Sequence, residues 1–313
     1  MLPPVLIVSI SIMTIEIVVG FIGNGFITAV NIINWIKSKK ISSADMILIF
    51  LSTSRFILQV TVMMHIHNLY FVDELTFASL SKAFETVWMF VNHGSLWFSS
   101  WLYVLYCVKI INVTQWLLLQ IKLRIARMVL WLLLGSLVIS FGTSFPLLWI
   151  RHSTYFCNST GSCRENSTAY STGWDNSYFN PLLLHFVGCI FPLVLSVLAS
   201  ALLIISLWRH TKKMQCYIDT FRDPLTDVHL TAIKSIISFL ILYLSSFVAQ
   251  ILLMLSSQKD TVKIAVCLVV TGAYPSIHSI ILIIVNSKLK LAFRILCQSF
   301  KCHLENMALS SIL

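Results

Sequence analysis

Charged side chains are scarce in this chain. Only 11% of its 313 residues are charged, and 12 acidic residues stand against 22 basic ones, so the formal net charge is +10. A soluble domain normally has about a quarter of its residues charged, whereas here 58% of the residues are hydrophobic. The composition therefore excludes an ordinary soluble fold and indicates a membrane protein.

Catalytic and metal-binding motifs are also missing. The sequence has no His-Glu-x-x-His, Cys-x-x-Cys or Gly-x-Ser-x-Gly pattern and no glycine-rich phosphate loop. It also lacks the basic N-terminal region of a cleavable signal peptide, so the first apolar run is expected to direct insertion. We predict that the protein is not an enzyme, and we expect neither a cofactor nor a metal site.

Long apolar runs are what the chain does contain. Seven of them reach or exceed the roughly 20 residues that a helix needs to cross a bilayer. We therefore predict an all-α membrane protein, a single seven-span domain over residues 1–313 whose tail covers residues 286–313. The predicted spans are residues 5–36, 46–66, 84–108, 129–150, 182–208, 231–256 and 262–285.

The basic residues predict the orientation of these spans. Most of the lysines and arginines fall in the first, third and fifth loops and in the tail. Basic loops stay cytoplasmic, so the N-terminus is predicted outside and the C-terminus inside. Basic charge on one membrane face suits anionic lipids and needs no nucleic-acid partner.

The fourth loop supplies an independent indication of the same orientation. It contains the glycosylation sequons that begin at Asn158 and Asn166, which are modified only on the lumenal side. A third match, at Asn112, falls in a predicted cytoplasmic loop and is expected to stay unmodified. The same outer loop holds Cys157 and Cys163, for which the sequence leaves both a disulfide and free thiols open.

Two further cysteines, Cys297 and Cys302, follow the last span. Palmitoylation and free thiols are both open for them.

One charged residue lies near the middle of a span. Arg55 of the second span costs at least about 2.5 to 3.5 kcal/mol at that depth, so it should face the bundle and have partners. A rise of about 1.5 Å per residue puts Asn24 and Ser279 within a turn or two of its depth. We predict a hydrogen-bonded polar hub of Asn24, Arg55 and Ser279 that joins three helices. Whether it is a static clamp or a rearranging switch stays open.

Short motifs in four regions carry a family resemblance. They are Leu51 with Ser54-Arg55, then Asn92-His93 and Trp97-Phe98 followed by Lys109 to Asn112, then Leu207 to Met214 with Arg222-Asp223-Pro224, and finally His278-Ser279 with Asn286 to Lys290. In this order and spacing they resemble the type 2 taste receptors, the bitter taste receptors. The Asp-Arg-Tyr and Asn-Pro-x-x-Tyr motifs of rhodopsin-like receptors are absent, which argues against an ordinary member of that class.

The resemblance implies a function at the plasma membrane. It implies a multi-pass G-protein-coupled receptor that binds small bitter agonists from outside and activates a heterotrimeric, gustducin-like G protein, with calcium signalling as the result. A vomeronasal-like chemosensory receptor and a small transporter are the alternatives. A transporter would be expected to show repeated halves with broken helices or more ionisable residues at mid-membrane.

The outer part of the third span is the predicted agonist site. Glu85, Trp88, Met89 and Asn92 share one helical face, and a mostly apolar wall with few polar groups suits a small ligand. Interhelical packing is the alternative for Met89, whereas Trp88 and Asn92 also match positions that the resemblance implies are ligand contacts. Further candidates from the fifth to seventh spans are Phe186, Ser246, Phe247, Gln250, Leu268 and Thr271.

The cytoplasmic ends of the spans are the predicted G-protein surface. Basic charge combined with an apolar side chain beside helix ends suits an acidic, amphipathic partner helix. Binding to anionic lipid, worth about 1 kcal/mol for each basic residue, is the alternative for the lysines. The predicted contacts are Lys109, Arg124, His210, Lys212, Lys213 and Met214.

Overall fold

Eight α-helices make up most of the part of the chain that the computed structural model describes. It describes residues 4–71, 74–110, 116–149, 155–157, 163–165, 179–217, 224–256 and 260–310, and several helix ends by their backbone alone. The helices are α1 Pro4–Ser38, α2 Ser43–Phe71, α3 Glu74–Ile110, α4 Trp116–Ser144, α5 Phe179–Tyr217, α6 Pro224–Leu255, α7 Thr261–Val285 and α8 Ser287–Ser310. A short 3₁₀ segment, Phe145–Trp149, follows α4.

Six of these helices are long and apolar enough to cross a membrane, by length and composition alone and within the described residues. They are α1, α2, α4, α5, α6 and α7. Large apolar side chains on their outer faces are exposed, as at Trp131 and Val138, which are 70% and 71% exposed. Such surfaces are what lipid tails cover.

The third helix is the most polar part of the bundle. Asn92, His93, Ser95, Ser99 and Ser100 are all buried along α3, which packs against α2, α4 and α5. Its hydroxyls bond within the protein: Ser100 Oγ donates to the Pro192 carbonyl of α5 at 2.8 Å. The central position of α3 therefore gives its polar side chains protein partners instead of lipid.

Two apolar clusters surround α3 and join the helices. One unites α3 with α5, α6 and α7 around Tyr103, Phe239 and Tyr243. The other unites α3 with α1, α2, α4 and α8 around Leu102 and Leu289. Since α3 contributes to both, its face toward the cavity described below is held from two sides.

Between α4 and α5 the structure describes a short antiparallel hairpin. Its strands are β1 Tyr155–Cys157 and β2 Cys163–Glu165, and the register pairs Cys157 directly with Cys163. Residues paired in this way have Cα atoms about 4.5 to 5.5 Å apart, within the range that a disulfide spans. The backbone is therefore compatible with a disulfide between Cys157 and Cys163, and the sequence leaves both this disulfide and free thiols open.

The tail contains a helix that the sequence analysis did not predict. Helix α8 covers Ser287–Ser310, and Leu289 is buried while Leu291, Phe293 and Phe300 are exposed. An ion pair of 3.0 Å between Lys288 Nζ and Asp45 Oδ2 fastens its first turn to α2. Apolar residues at helical spacing are present in this segment, but the basic residues between them break the apolar run. The segment was therefore predicted only as a cytoplasmic tail.

Candidate functional site

A cavity of about 430 Å³ lies among α1, α2, α3, α6 and α7. Its volume is within the range of about 300 to 1,000 Å³ that small-molecule sites occupy. The wall is mostly apolar, with aliphatic side chains such as Leu6, Ile10, Met13 and Ile17 from α1. These four repeat at helical spacing, so a single face of α1 closes one side of the cavity.

A small number of polar groups interrupt this wall. Asn92 and Gln250 are nearly fully buried, and Asn92 Nδ2 donates to Gln250 Oε1 at 3.1 Å. Gln250 Nε2 in turn donates to Ser246 Oγ at 3.1 Å. This chain joins α3 to α6 at the cavity wall and can orient a ligand that carries one polar group beside an apolar body.

Six of the ten predicted ligand residues line this cavity. They are Glu85, Trp88, Asn92, Gln250, Leu268 and Thr271. They come from α3, α6 and α7, which the fold brings to one cavity even though Glu85 and Thr271 are far apart in the sequence.

The other four candidates lie elsewhere. Met89 is buried, at 2% exposure, and is not among the lining residues. Phe186 of α5 packs on Phe247 with 6.1 Å between ring centroids. Ser246 accepts the hydrogen bond from Gln250 behind the wall. The periodicity of α3 identified a face that lines the cavity, but it could not give the rotation of α5.

The α1 and α2 side of the cavity was not predicted. Met13 and Ile17 of α1 and Leu58, Gln59 and Val62 of α2 line it. Their spacing was visible in the sequence, but apolar residues at helical spacing occur on every face of a membrane helix. Only the packing of α1 on α7 and α2 distinguishes this face from a lipid-facing one.

Below the cavity, Arg55 joins three helices. Its side chain is completely buried, and Nη2 donates to Ser99 Oγ at 3.1 Å and to the Tyr274 hydroxyl at 2.9 Å. The guanidinium carbon also lies 4.9 Å from the centre of the Tyr274 ring, a distance at which a cation is attracted to the ring. Since Tyr274 also lines the cavity, this residue touches both the candidate ligand site and the buried charge.

These hydrogen bonds differ from those of the predicted hub. Asn24 Nδ2 donates to the carbonyls of Gly20 and Pro275, and Ser279 Oγ donates to the Ser276 carbonyl at 2.7 Å. All three hub residues are buried, but the hydrogen bonds of Arg55 go to Ser99 and Tyr274. Counting along a helix gives the depth of a residue and not the direction in which its side chain points.

The α1–α7 contact explains where Ser279 lies. A Cβ built on Gly23 would approach Ser279 Oγ to 2.5 Å, so only glycine lets the two helices come this close. Ser279 therefore packs against α1 at Gly23, and the hydrogen bonds of Arg55 go to Ser99 and Tyr274.

An aromatic group continues from Tyr274 along α3, α6 and α7. The Tyr274 and His278 rings are stacked 6.0 Å apart, and His278 lies 4.9 Å from Phe239. Phe239 stacks on Tyr103 at 4.2 Å, and the Tyr103 hydroxyl hydrogen-bonds His278 Nε2 at 3.3 Å. We call Tyr274, His278, Phe239 and Tyr103 the aromatic relay. Because these rings are closely packed, a shift of one ring is expected to displace its neighbour.

The remaining predicted site residues lie outside the described residues or are described by backbone only. Asn158 and Asn166 belong to the first group. In the second group, Lys109 lies in α3, Arg124 in α4, and His210, Lys212, Lys213 and Met214 in the last part of α5.

Comparison with known proteins agrees with this architecture. Residues 1–301 match the family model described as Taste receptor protein (TAS2R). The chain is 39% identical to taste receptor type 2 member 40 of Gallus gallus over 277 residues, which cover 88% of this chain and 89% of the relative. It is 36% identical to member 8 of Gorilla gorilla gorilla, over 94% of this chain and 96% of the relative, and 36% identical to member 9 of Macaca mulatta, over 89% of each.

These matches confirm the predicted family, the receptor function and the prediction that the chain is not an enzyme. Together with its apolar helices, they also confirm a multi-pass protein of the plasma membrane. The motifs, the helical bundle and nearly full-length similarity agree: the chain belongs to the taste receptor family.

Proposed function

We propose that this chain is a bitter taste receptor that binds small, largely apolar agonists in the cavity and activates a heterotrimeric G protein. The observation that carries the proposal is Tyr274, which lines the cavity and also accepts the 2.9 Å hydrogen bond from Arg55. An agonist against the Tyr274 ring would favour one position of that ring, and the buried charge and the aromatic relay would respond. Binding energy can shift a conformational equilibrium only through such a difference in contacts.

We propose seven spans in one domain, with α3 as the seventh membrane helix beside the six apolar ones. At 37 residues, α3 is long enough to cross a bilayer, and its buried Asn92, Ser95, Ser99 and Ser100 have hydrogen-bond partners within the protein. The distribution of basic residues supports an extracellular N-terminus and a cytoplasmic α8.

This orientation predicts which sequons carry glycan. Replacing Asn158 and Asn166 by glutamine should abolish the mobility shift that a glycosidase produces on gels, because of the two loops that carry sequons only the one between α4 and α5 would reach the lumen. Asn112→Gln is the matched control and should leave the shift intact. A residual shift that only Asn112→Gln removes would reverse the orientation.

The cytoplasmic surface is proposed to bind the G protein, gustducin-like by family resemblance. Basic residues near the ends of α3, α4 and α5 complement an acidic partner helix, and the ion pair of Lys288 with Asp45 holds α8 beside α2 at that side. The exposed apolar residues of α8, among them Leu291 and Phe300, suit the interface with lipid.

The test of this function is calcium release in cells that express the receptor with a promiscuous G protein, screened against a panel of bitter compounds. We expect a response that requires both receptor and G protein.

The His210→Ala, Met214→Ala double variant should reach the surface and bind agonist, yet lose most of the calcium signal, because both residues belong to the proposed G-protein surface. Neither residue contributes much to lipid electrostatics at neutral pH, so this loss would not be explained by weaker lipid binding. Lys122→Ala is the control. Lys122 is a basic residue of α4 that we expect only to orient the chain, so its replacement should leave the calcium signal intact.

Agonist uptake that does not depend on the G protein would instead favour a transporter. Normal signalling by the double variant at matched surface expression would remove the end of α5 from the G-protein surface.

A further inference from the structure

Three side chains that can bind a metal meet in the interior between α3 and α5. His93, His185 and Cys189 are each completely buried, and one ligand atom from each lies within 4.8 Å of the other two. His185 and Cys189 are four residues apart on α5, so they lie on the same face one turn apart. His93 reaches them from α3.

The distances between the ligand atoms are close to those of a metal site. His93 Nε2 lies 3.3 Å from His185 Nδ1, and Cys189 Sγ lies 3.9 Å from the same nitrogen. Zinc bonds of about 2.0 to 2.3 Å in a tetrahedral arrangement separate neighbouring ligand atoms by about 3.3 to 3.6 Å. The remaining pair, His93 and Cys189, lies within 4.8 Å, so rotations of these side chains would bring the three ligand atoms to metal-site separations.

The backbone of α5 makes room for this approach. A Cβ built on Gly188 would overlap the His93 ring, so glycine at this position is what lets His93 approach α5 this closely. The close approach therefore depends on the residue that precedes the cysteine.

A neighbouring hydroxyl fixes the orientation of His93. Thr143 Oγ1 lies 3.1 Å from both the Ile139 and the Ser140 carbonyls, to which it donates, so it accepts from His93 Nδ1–H at 2.9 Å. That tautomer leaves the lone pair of His93 on Nε2, directed at His185. An oxygen partner on the outer nitrogen is the usual arrangement of a metal-binding histidine.

From this arrangement we propose that His93, His185 and Cys189 form a zinc site beside the agonist cavity. Two imidazoles and a thiolate match the ligand preference of Zn²⁺, and the fourth position is left for water or a donor atom of a ligand. On binding, Cys189 releases its thiol proton to solvent and His185 moves its proton from Nδ1 to Nε2. Trp88, which lines the cavity, stacks on His185 with 5.9 Å between centroids, so the site lies directly behind the cavity wall.

The sequence predicts no metal site, because the three ligands form no local motif. His93 and His185 lie 92 residues apart, and His185 with Cys189 alone is a spacing that many helices contain by chance. Only the fold brings α3 to this turn of α5.

The test uses purified receptor in detergent with Zn²⁺ alone as the probe. Cys297 and Cys302, which are exposed thiols on α8, are first replaced by serine in every sample so that they cannot take up metal. Against a competing zinc indicator, the parent should bind one equivalent more than Cys189→Ala or His185→Phe, and Cys267→Ala, which removes a buried thiol on α7, should match the parent.

Two further measurements separate a site from a loss of folding. Co²⁺ should give a thiolate-to-cobalt charge-transfer band in the parent that Cys189→Ala lacks. Thr143→Val, which keeps all three ligands, should weaken zinc binding about tenfold. Equal uptake by parent and Cys189→Ala, or a cobalt band that survives His185→Phe, would overturn the proposal.

Discussion

Replacing Trp88 by alanine is expected to raise the agonist concentration for half-maximal calcium release by about 30-fold to 140-fold. The indole lines the cavity and lies against His185, so its loss removes a large rigid contact from the wall. Truncating a central aromatic contact costs about 2 to 3 kcal/mol, and about 1.4 kcal/mol corresponds to tenfold in affinity. Concentration-response curves at equal surface expression measure the change.

A second tryptophan provides the matched control for this prediction. Trp131 on α4 is 70% exposed and faces away from the cavity, so Trp131→Ala should leave agonist potency within about twofold while carrying the same change of side chain. Unchanged potency in Trp88→Ala would exclude this part of the cavity as the agonist site. Equal losses in both variants would indicate a general effect on folding.

The helices were predictable because their signal is local. A run of about 20 apolar residues has few alternatives to a membrane helix. Five of the seven predicted spans lie within helices, and the spans 129–150 and 231–256 begin in α4 and α6 but extend past their ends. Six of the described helices are apolar enough to cross a membrane. Helix α8 was missed because Lys288, Lys290 and Arg294 interrupt its apolar face, and amphipathic helices have no long apolar run to detect.

The spacing of residues along a helix predicts the part of the candidate cavity that α3 forms. Glu85, Trp88 and Asn92 repeat on one face of α3, and all three line the cavity. The partners across the cavity depend on how each helix is rotated about its axis, which the spacing of residues does not encode. For this reason the α1 face at Met13 was missed, and Phe186 on α5 was placed in a site whose described lining includes no residue of that helix.

Arg55 is buried as predicted, but its hydrogen-bond partners differ from the predicted ones. Its depth and burial followed from the cost of a charge in the membrane, and the structure buries it completely. Tyr274 was not considered as a partner, because a tyrosine in an apolar span has no distinctive pattern. Three buried polar atoms on α1 and α2 have no hydrogen-bond partner among the described residues: Asn24 Oδ1, Arg55 Nε and Gln59 Oε1. They are available for new hydrogen bonds when the helices move.

Removing the guanidinium is the change with the largest expected effect on signalling. Arg55→Met should lower the maximal calcium response at least tenfold, because the two hydrogen bonds from Nη2 to Ser99 and Tyr274 join α2 to α3 and α7 below the cavity. A hydrogen bond to a charged group contributes about 1.5 to 3 kcal/mol. Surface expression should not fall, since loss of a mid-membrane charge eases insertion by about 2.5 to 3.5 kcal/mol.

Tyr274→Phe separates the hydrogen bond from the rest of the site. The variant keeps the ring in the cavity wall and beneath the guanidinium, whose carbon lies 4.9 Å from the ring centre, but it lacks the hydroxyl that accepts from Arg55. We expect signalling to fall in the same direction as in Arg55→Met, with agonist binding retained. Because both changes remove one shared bond, the double variant should signal no worse than Arg55→Met alone, as coupled residues do in a double-mutant cycle. Losses that multiply in the double variant would mean that Arg55 and Tyr274 act separately, and the cavity would then have to communicate with the cytoplasmic side by another route.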